Sequence, residues 1–120
     1  MLAKNSHDGL GDLNPPLPAS SRTCVKEHAV EFLIKLLEST EENSDPPLTI
    51  IALAPLTNIA SVLRLRPDLC KRAIERIVWM GGSAFAGGNA SQWGEANAEY
   101  DPEAAHIVLQ SGVEITMYTW

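Results

Sequence analysis

Cysteine, positive charge and long apolar runs are all scarce in this chain. Only Cys24 and Cys70 occur among 120 residues, far apart and outside any metal-ligating spacing. They read as reduced thiols of a cytoplasmic protein, not as a disulfide framework. Nine Lys and Arg stand against fifteen Asp and Glu, a net charge of -6. A phosphate backbone is repelled by that balance, so nucleic acid is not an expected partner. No apolar run reaches the roughly 20 residues that cross a bilayer, and no membrane association is expected. Residues 1–12 carry no apolar stretch of the secretory-signal type. Internal repeats and low-complexity segments are absent as well. What is present suits one small globular domain: 45% apolar and 20% charged residues, enough for a core and a solvated surface.

Residues 1–22 are rich in turn formers, with Asp8-Gly9, Gly11-Asp12, Asn14-Pro15-Pro16 and Pro18, and are expected to form a loop or arm. A partial α/β domain is expected over 23–120. Thr23 is the expected cap of a first helix, whose apolar side is Val25, Ala29, Phe32, Leu33, Leu36 and Leu37. That helix stops before Pro46-Pro47. Residues 48–54 (LTIIALA) read as a strand buried on both faces, as in parallel sheets. A helix over 55–65 and a short one from Pro67-Asp68 follow. Residues 77–80 (IVWM) form the next expected strand, and 83–100 an irregular loop. Asp101 caps a helix with Pro102 at its first position, Ser111-Gly112 ends it, and 113–120 form a last strand.

Strands separated by helices imply right-handed crossovers and a mostly parallel open sheet with flanking helices. Three strands make a thin sheet for this class. The last strand has no closing helix, so the expected fold is incomplete and part of a larger domain.

In open parallel sheets, ligands bind beyond the carboxyl ends of the strands. Two such ends carry loops here, residues 54–58 and 80–97. The second holds Asn89, then Glu95 six residues on, then Asn97 two further. Amide and carboxylate groups hydrogen-bond sugar hydroxyls, and the glycines let backbone approach a ligand. The plainer alternative makes Asn89 and Asn97 turn residues and Glu95 a solvated charge. His28 is expected to be solvated on the first helix, His106 packed or exposed on the last, and His7 in the arm. Trp79 is expected in the core. Trp93 is open to two roles, stacking on a base or packing within its loop.

Five strings, in order, carry a resemblance: Leu56-Thr57-Asn58-Ile59-Ala60, Met80-Gly81-Gly82, Gly88-Asn89, Glu95-Ala96-Asn97 and Asp101-Pro102-Glu103-Ala104-Ala105. Together they resemble the inosine–uridine-preferring nucleoside hydrolases over residues 48–118, and Asp8-Gly9-Leu10-Gly11-Asp12 resembles a further family loop. The resemblance implies a Rossmann-like α/β fold and hydrolysis of the N-glycosidic bond of ribonucleosides to free base and ribose. It implies a Ca²⁺ ion, a hard cation with oxygen ligands that activates water, and a transition state like an oxocarbenium ion. Carried onto this chain, Thr57 supplies a backbone carbonyl to the metal. Asn89, Glu95 and Asn97 hold ribose hydroxyls, and Met80 lines the same pocket.

The family's aspartate-rich DTDxGxDD motif, which carries most calcium ligands and the catalytic base, has no counterpart here, so no catalytic residue is assigned. The later metal aspartate is also missing. Asn5 and Ser6 replace a histidine and a glycine, and Ala96 an aromatic residue. Asp8, Asp12 and Asp101 do not stand in for the missing ligands. Two expectations follow. In the first, the chain is a truncated nucleoside hydrolase, binding nucleoside but calcium only poorly, and turning over little or nothing alone. In the second, it is a non-catalytic binding or assembly module that pairs with a full-length hydrolase subunit. Homo-oligomers are compatible with the family. Purine or pyrimidine preference is not read from this segment.

Overall fold

The computed structural model describes residues 25–120. Thr23, Cys24, His7 and the arm over 1–22 lie outside these residues. The elements are α1 (Ala29–Glu42), β1 (Leu48–Ala52), α2 (Thr57–Leu65), α3 (Pro67–Ala73), β2 (Ile74–Met80), α4 (Ala96–Tyr100), α5 (Pro102–Leu109) and β3 (Glu114–Tyr118). The strands are all parallel, in the order β1-β2-β3. The expected class, an open parallel α/β sheet with helices and an incomplete set of strands, is the one observed.

The expected burial of β1 on both faces is not observed. Crossovers of the usual hand, between strands added successively in one direction, put every connecting helix on the same face. Ile50, Ile77 and Ile115 lie in register on that face, and Ile77 is fully buried. On the other face Ile51 and Leu53 are 68% and 73% exposed. The molecule therefore has two layers, one of sheet and one of helices, with α2 packed on α5 and α1 on α2 and α3. A continuous apolar run is compatible with either environment, which is why the sequence reads equally well both ways.

Helix α1 begins later than its apolar pattern implies. His28, expected within the helix with Thr23 as its cap, is itself the cap, accepting the Val30 N–H on Nδ1 at 3.2 Å. The core-facing stripe is Val30, Leu33, Ile34, Leu37 and Thr40, while Val25, Phe32 and Leu36 are exposed. The helix is apolar on two overlapping stripes, and packing on α2 and α3 selects one. Strand β2 starts three residues before the expected strand at 77, because Ile74, the residue closing α3, is already extended.

The core gathers Leu37, Leu56, Val62, Cys70, Ile77, Trp79 and Val108. Cys70 is a free thiol, and burial pushes its pKa up. Trp79 occupies the expected core position, 1% exposed, and its indole N–H donates to the Ala54 carbonyl at 3.3 Å. That bond ties the carboxyl end of β2 to the loop after β1.

Candidate functional site

Beyond Met80 the chain keeps pairing with β3: Gly81 N donates to Tyr118 O at 3.2 Å and Trp120 N to Gly82 O at 2.9 Å. Gly82 has φ +81°, a left-handed conformation that glycine adopts without steric cost. It turns the chain off the sheet and points its N–H at the Glu95 carboxylate, 2.8 Å away.

Glu95 is the centre of the arrangement. It is not solvated, as the plainer sequence reading has it, but 2% exposed. Its Oε1 accepts Asn97 N at 3.0 Å, and its Oε2 accepts Gly82 N at 2.8 Å and Ala98 N at 3.2 Å. Residues 96–100, expected as loop, are the short helix α4, and Glu95 is its cap. Burying a carboxylate costs several kcal/mol. Hydrogen bonds to a charged group contribute about 1.5–3 kcal/mol each, so three of them offset that cost.

The two amides brace the same loop, each through one end. Asn89 Oδ1 accepts Ala96 N at 2.8 Å. Asn97 Nδ2 donates to Met80 O at 2.9 Å and lies 3.4 Å from Met80 Sδ. These partners fix both amide orientations, since an N–H must face an oxygen and a carbonyl must face a nitrogen. Asn89 Nδ2 and Asn97 Oδ1 are therefore left as one donor and one acceptor without a partner among the described residues. A hydroxyl, which both donates and accepts, matches that pair. Residues 88–94 form a tight ring beneath it, with Gly88 N bonded to Gln92 O at 3.0 Å and Ala90 N to Gly94 O at 3.0 Å. Ser91 Oγ donates to Glu99 and accepts Gly94 N, bracing the ring on α4. Trp93 stands out of it, 74% exposed, so it is not packed within the loop.

Thr57 opens α2 at the neighbouring strand end. Its hydroxyl donates to Asp101 Oδ2, and Asp101 Oδ1 accepts Ala104 N at 2.9 Å. Asp101 is thus the expected cap of α5 and, beyond that, a link between the starts of α2 and α5. The Thr57 hydroxyl first, and the Ala104 N–H second, hold its carboxyl below the usual carboxylate range. The Thr57 backbone carbonyl accepts the Ser61 hydroxyl at 2.8 Å. A concavity of about 420 Å³ between α2 and α5 is lined by Thr57, Ser61, Arg64, Asp101 and others. Asn89, Glu95 and Asn97 do not line it, so the case for the amide set rests on its hydrogen-bonding chemistry, not on cavity shape. His28 and His106 are exposed and lie outside the set.

Among the described residues no group of three or more His, Cys, Asp or Glu side chains is placed to hold a metal ion. Calcium takes about 6–8 oxygen ligands. One carbonyl already shared with Ser61 does not make such a shell, so these residues alone do not fit the ion that the resemblance implies.

Parallel strands with flanking helices, and a glycine turn at the carboxyl end of β2, define an open-sheet α/β protein. The family model of the inosine-uridine preferring nucleoside hydrolases matches residues 3–120, and the chain belongs to that family. A pyrimidine-specific ribonucleoside hydrolase RihA of Shewanella sp. strain ANA-3 is 43% identical over 117 residues, 98% of this chain and 35% of the relative. A probable uridine nucleosidase 1 of Oryza sativa subsp. japonica is 40% identical over 108 residues, 90% of this chain and 31% of its own length. The purine-preferring ribonucleoside hydrolase from Gardnerella vaginalis superposes with a TM-score of 0.77 at 37% identity, covering 93% of this chain and 33% of that structure. The chain spans about a third of the length of the curated relatives it matches. No helix among the described residues is long and apolar enough to cross a membrane.

Proposed function

We propose that this chain forms the ribose-contacting wall of a ribonucleoside N-ribohydrolase, which cleaves the N-glycosidic bond of ribonucleosides to free base and ribose. The observation that carries the reading is a loop braced by Glu95 on which the Asn89 amide N–H and the Asn97 amide carbonyl are both left without a partner among the described residues. Asn89 and Asn97 bind ribose hydroxyls, Glu95 completes the set through its remaining lone pair, and Met80 closes the pocket edge. The Thr57 carbonyl is the chain's contribution to a calcium site whose carboxylates are not among the described residues. An ion held there would supply Lewis-acid activation of water. We place the protein in the cytoplasm, as a partial α/β domain over 23–120 following an arm over 1–22, with a small nucleoside as its partner and homo-oligomers compatible with the family. On its own the 120-residue chain binds calcium weakly and turns over little or no substrate.

The test follows free ribose from inosine and uridine, with and without Ca²⁺, using the purified 120-residue chain and a longer chain carrying an aspartate cluster. Release only by the longer chain supports the reading. Calcium-dependent release by the 120-residue chain refutes the claim that its metal site is incomplete.

A second reading is favoured by the uncovered sheet face with Ile51, Leu53, Met80 and Tyr118 exposed. Exposed apolar patches mark interaction surfaces. In this reading the chain is a non-catalytic module that pairs with a full-length hydrolase subunit. Self-association without nucleoside affinity, measured by sedimentation and by titration, separates it from the first.

A further inference from the structure

Cations are few in this chain, and most of those described are already paired. Lys35, Arg66, Arg72 and Arg76 form ion pairs with Glu27, Glu38, Glu41 and Glu114. Lys26, Arg64 and Lys71 form none among the described residues. Arg64 and Lys71 line one concavity of about 240 Å³, together with His106. Its apolar lining is Leu63, Pro67 and Ile107, and no Asp or Glu among the described residues lines it. Ser111 lines it too, and its hydroxyl accepts the Val113 N–H at 3.2 Å, which leaves the hydroxyl proton to be donated. Glu103 borders the adjoining groove with Arg64 and His106 but pairs with neither. Helices α2 and α5 begin at the carboxyl edge of the sheet and run back, so the ends that carry Arg64 and Ser111 reach the amino edge. The concavity therefore lies across the sheet from Asn89, Glu95 and Asn97, none of which lines it.

Arg64, Lys71 and His106 each stand in the last turn of a helix, where a positive group complements the carbonyl end. That accounts for each residue singly. It does not account for three helices turning these groups onto one concavity in a chain of net charge -6.

We propose that this concavity is a second ligand site, which takes a small phosphomonoester with a ring-sized apolar body. A phosphomonoester carries nearly two negative charges at neutral pH, and Arg64 and Lys71 supply two positive ones. Arg presents a planar fork of donors to the phosphate oxygens, and Lys a point charge. The His106 ring and the Ser111 hydroxyl add neutral donors. The apolar body rests on Leu63, Pro67 and Ile107. The volume is about eight times a water's share of the liquid, which admits a phosphate and one ring but not a folded segment of chain. The inference is independent of the ribose-contact reading, since the two sites share no residue.

The test titrates the full 120-residue chain with phenyl phosphate, inorganic phosphate and phenol, reading the backbone amide resonances of Lys71, Ile107 and Gln110 by NMR. Phenyl phosphate is expected to shift all three at about millimolar concentration. Phosphate alone and phenol alone are each expected to need tenfold more or worse. Arg64→Gln and Lys71→Gln change exposed side chains, so both variants should fold as the wild type does. Each is expected to weaken phenyl phosphate about fivefold, and the pair more than tenfold, with phenol unaffected. No shift with phenyl phosphate overturns the inference, and so does undiminished binding by the double variant. Inorganic phosphate binding as tightly as phenyl phosphate overturns the apolar half of the site, and phenol binding as tightly overturns the charged half. Tighter binding of a phosphotyrosine tripeptide than of phenyl phosphate overturns the small-molecule ligand in favour of a peptide.

Discussion

Replacing Gly81 with alanine tests how the carboxyl end of β2 is held. A Cβ at Gly81 would lie 2.2 Å from Trp79 Cε2 and 2.3 Å from Cζ2. Non-bonded carbons rest at about 3.5–4.0 Å, so the overlap exceeds 1 Å. The ring cannot withdraw. It is 1% exposed, and its N–H is bonded to the Ala54 carbonyl. The backbone must yield instead, at the point where Gly81 and Gly82 pair with Tyr118 and Trp120. Overpacking of a well-filled site costs about 1–3 kcal/mol, and an overlap this large belongs at the upper end. For a domain of this size, about 3 kcal/mol lowers Tm by roughly 12 °C or more.

Gly112→Ala is the natural comparison. Gly112 has φ +80° but nothing within 4 Å of a new Cβ, so only the left-handed backbone is charged, about 1 kcal/mol. Urea denaturation of both variants and the wild type, at unchanged m, measures the difference. If Gly81→Ala costs no more than Gly112→Ala, the steric account of the β2 end is wrong. The same substitution displaces Gly82 N from Glu95, so it should also broaden or shift the Asn97 side-chain resonance, which Gly112→Ala should leave in place.

Glu95→Ala strips the acceptor from three N–H groups, two of them at the start of α4, and is expected to cost about 3 kcal/mol by urea denaturation; a loss under about 0.5 kcal/mol would mean the carboxylate is not a structural centre. Asp101 has a folded pKa held below its ordinary value of 3.8. Its contribution is therefore fully present above about pH 4 and lost as pH falls through the lower folded value, so Asp101→Asn should flatten the stability curve on the acid side, and an unchanged curve refutes the Thr57 and Ala104 bonds as its cause. In a Cys24→Ala background, Cys70 should react with a thiol reagent only at the rate of unfolding, since it is wholly buried with a raised pKa; immediate labelling of the native protein counts against the core as described. Ile51→Lys with Leu53→Lys should reduce self-association at high protein concentration and leave the unfolding midpoint nearly unchanged, because both side chains are mostly exposed; an unchanged sedimentation profile in a self-associating wild type removes the apolar face as its cause.

The parallel α/β class was legible because it depends on order alone: strand-like runs alternating with amphipathic helices admit few topologies. The capping of α5 by Asp101 was legible for a similar reason, since Asp-Pro followed by an apolar stripe is a local signal. Three features were not local and could not be read. The bare face of β1 depends on which side both crossovers take. The stripe that α1 buries depends on its neighbours, because Phe32 and Leu36 are as apolar as Leu33 and Leu37. The burial of Glu95 depends on Gly82, thirteen residues earlier in the chain, turning through a left-handed conformation to present its N–H. A glutamate flanked by Gly94 and Ala96 carries no mark of that in sequence.

The same convergence explains why Asn89, Glu95 and Asn97 act as a set and are not interchangeable polar loop residues. Asn97 spends its NH₂ on the end of β2, Asn89 spends its carbonyl on the first residue of α4, and Glu95 joins both elements. Each residue uses one part of its side chain to hold the loop, and the amides each keep one part free. Substituting aspartate for either asparagine is therefore not conservative. At Asn97 it would place a carboxylate oxygen against the Met80 carbonyl, and at Asn89 it would remove the only free donor of the pair. In the proposed ribose contact, folding and recognition draw on opposite ends of the same amides, so loss of either asparagine should weaken loop order and hydroxyl binding together, in a way that no surface substitution on residues 84–87 should reproduce.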